Sequence, residues 1–215
     1  FTAYGFAFYY QKDGNDLAKL ISDLKTIKEN TKPCVYLIET IKGLGDKNAE
    51  DDKLGSYHAI ASKKCGLSYP KLVSNIFFEY AKKFEPYVVQ LGMTVGFNME
   101  TYPEILKGKY LDYGMNEELG LASAYALLLN NQKVVIPIYA TFLQRIYDQL
   151  VNDIGRLNLA PLLLINRNGL IDYDGPTHQG IYTNSILNDA NIPAYYPLNE
   201  AELKFYFNEY FKANK

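Results

Sequence analysis

The stretch DGPTHQG, Asp174 to Gly180, puts one of the chain's two histidines in a short loop with two glycines, a proline and an aspartate. Imidazole changes charge near neutral pH, so His178, four residues after Asp174, fits a proton-handling group at a pocket mouth. A solvated or structural histidine is the plainer reading, and His58 poses the same choice. Neither has the spacing of a zinc ligand. Glu117 opens an otherwise apolar run, NEELGLASAYALLL. It is either a carboxylate that complements a helix dipole, worth about 0.3–1 kcal/mol, or a half-buried acid that exchanges a proton with a ring nitrogen. The stretch YATFLQRIYDQ, residues 139–149, brings Phe142, Arg145 and Gln149 near one helical face, with Tyr139 at a strand terminus. Phe142 is then a core side chain or a face on which a flat cofactor ring stacks. Arg167 directly follows LLLIN; it is a surface charge, or a planar fork for a phosphate or a carboxylate.

These groups need a frame to bring them together, and the pattern along the chain supplies one. From Tyr69 onward, strand-like runs alternate with helix-like ones. YVVQLGMTV and YLDYGM precede NEELGLASAYALLL; KVVIPIY precedes TFLQRIYDQLVNDI; PLLLINR precedes GPTHQGIYTNSIL; PAYYP precedes NEAELKFYFNEYF. Short apolar strands between helices predict an α/β fold, a parallel sheet with helices on both faces. Pro137 inside VVIPIY argues against that one strand, because proline removes a ladder donor. Ligands of such sheets gather at the carboxyl ends of the strands, which is where Glu117, Tyr139 to Arg145, Arg167 and Asp174 to His178 fall. Upstream, NDLAKLISDLKTIKEN has a helical period with Asn15 as N-cap, PCVYLIET follows as a buried strand, and KGLGDKNAEDDKLGSYH is a polar loop or linker.

Composition narrows the function classes. A hydrophobic content of 48% supports a real core, and a net charge of −2 leaves no electrostatic footprint for nucleic acid. The longest apolar runs are too short to span a membrane, and the amino end lacks the layout of a signal peptide. Two cysteines make no disulfide framework, so the expected location is the cytoplasm. The chain starts with Phe1, not Met, and is expected to be a piece of a longer polypeptide.

Over YATFLQRIYDQLVNDIGRLNLAPLLLINRNGLIDYDGPTHQG the chain resembles the 1-deoxy-D-xylulose-5-phosphate synthase family. The family pattern Y-S-T-F-x-Q-R-x-x-D-Q is met from Tyr139 to Gln149 with Ala140 for the serine. D-R-x-G and D-G-x-T-H-Q-G are met at Arg167 and from Asp174 to Gly180, with Asn166 for the first aspartate. Upstream, YGFAFYYQKDGNDLAKLI and TIKGLGDKNAEDDKLGSYHAI are similar to two further family segments. The resemblance implies that residues 1–66 are the C-terminal part of a diphosphate-binding domain with its linker, and that residues 69–215 form a pyrimidine-binding domain. It implies thiamine diphosphate as cofactor, with magnesium held by a segment outside this chain. It also implies a homodimer, with pyruvate and glyceraldehyde 3-phosphate as substrates in the first step of non-mevalonate isoprenoid synthesis, which also feeds thiamine and pyridoxal. On that implication Glu117 hydrogen-bonds the aminopyrimidine ring nitrogen, Phe142 stacks on the pyrimidine and Arg145 orients the site. Tyr139 and Arg167 grip the acceptor's phosphate, and His58, His178 and Asp174 manage protons on its oxygens. Where the family reads E-Q-H, this chain has Glu117-Glu118-Leu119. Two further readings stand beside this one: a transketolase-like enzyme with sugar donors, and a catalytically silent relative acting as a subunit.

Overall fold

The computed structural model describes residues 1–52, 68–171 and 174–213. The chain divides into two compact units, Phe1–Lys64 and Cys65–Lys215.

In the first unit, β1 (Ala7–Gln11) and β2 (Cys34–Ile38) run parallel in the register Ala7↔Cys34 to Gln11↔Ile38, joined through α1 (Leu17–Lys28). The N-cap of α1 is Asp16, not Asn15: its side chain accepts from the backbone N–H groups of Ala18 and Lys19. Asn15 is spent elsewhere, with Oδ1 accepting from Ile41 N at 2.6 Å and Nδ2 donating to Ile41 O. Asp23 of α1 accepts from both strands, from Tyr36 Oη at 2.6 Å and Gln11 Nε2 at 2.7 Å. The sequence expectation of a buried strand at PCVYLIET is corrected, since Leu37 and Ile38 are exposed. The expected loop KGLGDKNAEDDKLGSYH contains a short helix among its described residues, α2 (Lys47–Glu50), capped by Asp46; from residue 53 on it lies outside the described residues.

The second unit has a four-stranded parallel sheet of β3 (Tyr87–Gln90), β4 (Tyr110–Asp112), β5 (Val134–Tyr139) and β6 (Leu162–Asn166), in the order β4-β3-β5-β6. Both faces are covered, as the continuous apolar runs predict. Neighbouring residues point to opposite faces, so Val89, Ile136 and Ile138 pack with one core while Val88, Val135 and Tyr139 pack with the other. The first face carries α6 (Glu117–Leu129), an irregular helical segment from Ala140 to Gly155, and α8 (Thr183–Asp189). The second carries α3 (Tyr69–Phe84), the short α4 (Thr94–Phe97) and α5 (Tyr102–Ile105), and α9 (Glu200–Lys212).

Pro137 sits inside the fully buried β5 after all. Pairing between β3 and β5 covers only Val134 and Val135, so that ladder ends before the proline is reached, while β6 continues alongside Pro137 as far as Tyr139. The expected helix TFLQRIYDQLVNDI is composite: a 3₁₀ stretch Ala140–Ile146, one turn of α-helix α7 (Tyr147–Gln149), and a π-helical stretch Leu150–Gly155. PAYYP does not form a strand. Pro193 and Pro197 bracket it and bring no N–H to a ladder, and Tyr195 and Tyr196 remain exposed.

Candidate functional site

The strand order reverses between β3 and β5, where their pairing stops short, and the carboxyl edge beside this switch point is the place for a ligand crevice. Three elements deliver side chains to it. The first is α6, whose N-cap Asn116 accepts from Leu119 N. Gly120 lets this helix settle on β3: a Cβ there would lie 2.2 Å from Leu91 Cδ2. The close approach carries Glu117, only 3% exposed, to the sheet edge. Arg145 Nε stands 3.5 Å from Glu117 Oε2, and Arg145 Nη2 stands 3.4 Å from Glu118 Oε1. The exposed arginine thus bridges a buried carboxylate and a solvated one. Gln149 Nε2 donates to Glu118 O at 3.0 Å, which ties the irregular helix to the head of α6. Farther out, Tyr147 donates to Asp189 Oδ2 at 2.9 Å; that bond and the carboxylate's charge hold the phenol above its usual range.

The second element is the turn from β5 into the irregular helix. Tyr139 and Phe142 stack with ring centroids 6.2 Å apart, and Phe142 meets His178 edge-on at 5.8 Å. Tyr139 reaches its position because residue 96 has no side chain: a Cβ on Gly96 would fall 1.8 Å from the Tyr139 hydroxyl. Asn166 Nδ2 donates to the carbonyl of that same glycine.

The third element follows β6. Arg167 is held at φ 58°, in the left-handed region that non-glycine residues seldom occupy, with its backbone N–H donating to Asn166 Oδ1 at 2.8 Å. Its guanidinium lies over the Tyr139 ring at 4.3 Å, and Nη1 donates to both Asp174 oxygens, at 3.0 and 2.8 Å. The loop base is closed by a two-way bond pair between Gly169 and Gly180. Gly180 admits this closure because a Cβ there would strike Arg167 O at 2.4 Å. Inside the loop, Gln179 acts as a strut: Oε1 accepts from Ile171 N, and Nε2 donates to the carbonyls of Ile171, Asp174 and Gly175. Thr141 Oγ1 donates to Thr177 O, and Thr177 Oγ1 lies 2.8 Å from His178 Nδ1.

The residues singled out from sequence therefore form two contact chains along one irregular helix. One is Glu117–Arg145; the other runs Asp174–Arg167–Tyr139–Phe142–His178. His58 lies outside the described residues. Sequence reasoning missed Gln179, Gly96 and the pairing of Arg167 with Asp174. Of these, only Gln179 carried a signal, since it stands inside the motif DGPTHQG. A buried carboxylate at a helix head and a half-buried aromatic face one helix away fit an aminopyrimidine, whose ring nitrogen seeks a proton partner and whose flat face seeks a ring. Among the described residues there is no cluster of three or more side chains suited to a metal, and no helix is long and apolar enough to cross a membrane.

Residues 75–210 match the family of transketolase pyrimidine-binding domains. The chain is also similar to curated 1-deoxy-D-xylulose-5-phosphate synthases. It is 36% identical over 195 residues to that of Malacoplasma penetrans, covering 85% of this chain and 31% of the relative. To the Listeria monocytogenes protein it is 32% identical over 227 residues, covering 100% of this chain and 37% of the relative. The Dictyoglomus thermophilum protein is 33% identical over 211 residues, covering 95% and 34%. The chain spans about a third of the length of these curated relatives.

Proposed function

This chain belongs to the transketolase pyrimidine-binding domain family, and on that premise we propose that it is part of a 1-deoxy-D-xylulose-5-phosphate synthase, a thiamine-diphosphate-dependent transferase. The observation that carries the reading is the buried carboxylate of Glu117 at the sheet's carboxyl edge, with Arg145 against it. The likeness to synthases along at least 85% of the chain supports the choice of activity. The donor is pyruvate and the acceptor glyceraldehyde 3-phosphate. Thiamine diphosphate, when bound with magnesium, supplies the carbon nucleophile and the electron sink for decarboxylation. Glu117 holds a proton at the aminopyrimidine ring nitrogen, and Arg145 fixes the orientation of that carboxylate. Phe142 offers its face to the pyrimidine. Arg167 and Tyr139 anchor the acceptor's phosphate, and Asp174, His178 and His58 exchange protons with its oxygens. Residues 1–66 are the end of a diphosphate-binding domain, residues 69–215 are the pyrimidine-binding domain, and the protein works as a homodimer in the cytoplasm. These last assignments rest on the resemblance, and the location also on the cysteine count.

The test is carbon dioxide release from pyruvate by the polypeptide that carries residues 1–215, supplied with thiamine diphosphate and magnesium, with and without glyceraldehyde 3-phosphate. Release that depends on the acceptor is expected, and Glu117→Gln, which keeps shape and removes the acid, lowers it by about 10²-fold or more. Activity with ketose phosphates in place of pyruvate would favour a transketolase-like enzyme. No turnover with either donor would favour a silent relative, the reading to which the Glu118-Leu119 departure points.

A further inference from the structure

Resting on the reading of Arg167 as the phosphate anchor, we infer that Asp174 is the internal counter-ion of that anchor and sets its affinity for phosphate. Both Asp174 oxygens sit on Arg167 Nη1, at 3.0 and 2.8 Å, and the two side chains are 28% and 14% exposed. A pair this sheltered is screened less than a surface pair. A guanidinium binds carboxylate and phosphate with the same donors. An incoming phosphate therefore competes with Asp174 for one positive charge, and meets the negative charge of Asp174 as it arrives. Arg167 itself is poor at moving aside to escape that competition. Its backbone is fixed in the left-handed region, and its guanidinium is laid over the Tyr139 ring at 4.3 Å. Asp174 takes part in the pair through its carboxylate alone. When phosphate takes Arg167, that carboxylate is released beside the ligand, available to an acceptor hydroxyl. Phosphate binding and the exposure of a proton acceptor become one event.

The loop does not depend on this ion pair for its shape. Gln179 Nε2 holds the carbonyls of Asp174 and Gly175 at 3.1 Å each, and Gly169 and Gly180 close the base. Replacing the carboxylate by its amide thus removes the charge and leaves the frame. Calorimetric titration of inorganic phosphate into the polypeptide that carries residues 1–215 reads the effect. Asp174→Asn is expected to bind phosphate about tenfold more tightly than the wild type, and Asp174→Glu, which restores the charge, to return to weak binding. Should Asp174→Asn fail to fold, Asp174→Ser carries the same expectation. Arg167→Met separates this inference from the reading beneath it. If Arg167→Met weakens phosphate binding while Asp174→Asn binds no more tightly than the wild type, the counter-ion role is overturned and the anchor stands. If Arg167→Met changes nothing, in the wild type or in the Asp174→Asn background, the anchor falls and takes the counter-ion with it.

Discussion

Glu117 and Glu118 are neighbours of one type at one helix head, and their surroundings separate them. A carboxylate kept only to complement a helix dipole gains that benefit while staying in water. Glu118 does so, with a side chain 49% exposed, whereas that of Glu117 is 4% exposed. Burying an acid costs free energy unless something answers its charge, and here Arg145 does, at 3.5 Å. The dipole reading of Glu117 therefore accounts for its place in the sequence but not for its burial. Tyr139 depends on a residue that does nothing visible. At Gly96 a methyl group would stand 1.8 Å from the tyrosine hydroxyl, so Gly96→Ala must push away the ring on which Arg167 lies. We expect Gly96→Ala to keep the fold, judged by circular dichroism, and to weaken phosphate binding by about tenfold, with the guanidinium no longer held over an aromatic face. An unchanged affinity would show that the Tyr139 ring does not place Arg167. Arg145, Arg167 and His178 stood out as candidates in the sequence because arginine and histidine are scarce in this chain, whereas Glu117, Tyr139, Phe142 and Asp174 stood out only by their place at strand ends. Gly96 carried no such mark, because its work is done against a ring 43 positions downstream, and Gln179 was marked only by its place in DGPTHQG, its hold on the loop carbonyls showing only in the structure.

At the scale of elements, the segment Ala140–Gly155 shows where periodicity misleads. Its apolar residues read at 3.6 per turn, yet its first seven residues wind as 3₁₀ helix and its last six as π-helix. In a 3₁₀ helix residues three apart eclipse one another, which sets Phe142 and Arg145 along one edge, the edge that meets the head of α6. Helix α3, helix α6 and the apolar strands were legible because their patterns agree with their local propensities. The PAYYP segment was not, since apolarity alone does not distinguish a strand from a segment that cannot donate at its ends. The start of β5 is secured by a side chain. Tyr210 of α9 donates to Val134 O at 2.8 Å and accepts from Val134 N at 3.1 Å, satisfying both polar groups of a fully buried residue. Tyr210→Phe removes both bonds from a fully buried residue and should cost about 1–3 kcal/mol in urea unfolding. Burial pushes this phenol above its ordinary value. Its contribution is therefore complete below about pH 10, the unfolded value, and is lost as pH rises toward the folded one. The wild type should lose stability more steeply than Tyr210→Phe above that pH, and parallel alkaline limbs for the two would contradict the assignment.

For the molecule as a whole, the second unit is a sheet between two unlike cores, and the site draws on both. The α6 side is aliphatic, built from Leu121, Leu143, Ile146, Leu150 and Ile154. The opposite side is an aromatic slab in which Phe77 lies 5.5 Å from Tyr102, 5.9 Å from Phe207 and 6.2 Å from Phe211. Tyr139 belongs to that slab, while Phe142 packs against both cores. The Arg167 end of the site is thus continuous with the aromatic core, and the Glu117 end stands over the aliphatic one. Phe77 is fully buried at the centre of the slab. Phe77→Ala removes a whole ring and leaves a cavity that neighbouring rings cannot close by small shifts, a cost of about 3–5 kcal/mol. Against a total of roughly 5–15 kcal/mol for a domain, that is enough to unfold much of the unit near physiological temperature. Phe77→Leu keeps most of the volume and should cost less than half as much. Urea midpoints followed by far-ultraviolet circular dichroism check the order, wild type above Phe77→Leu above Phe77→Ala. Phosphate titration of the folded Phe77→Leu protein then asks whether the slab serves the site through stability alone: an affinity equal to wild type means that Tyr139 is placed by its immediate neighbours, Gly96 and Phe142, and a weakened one means that the slab behind it sets the ring as well.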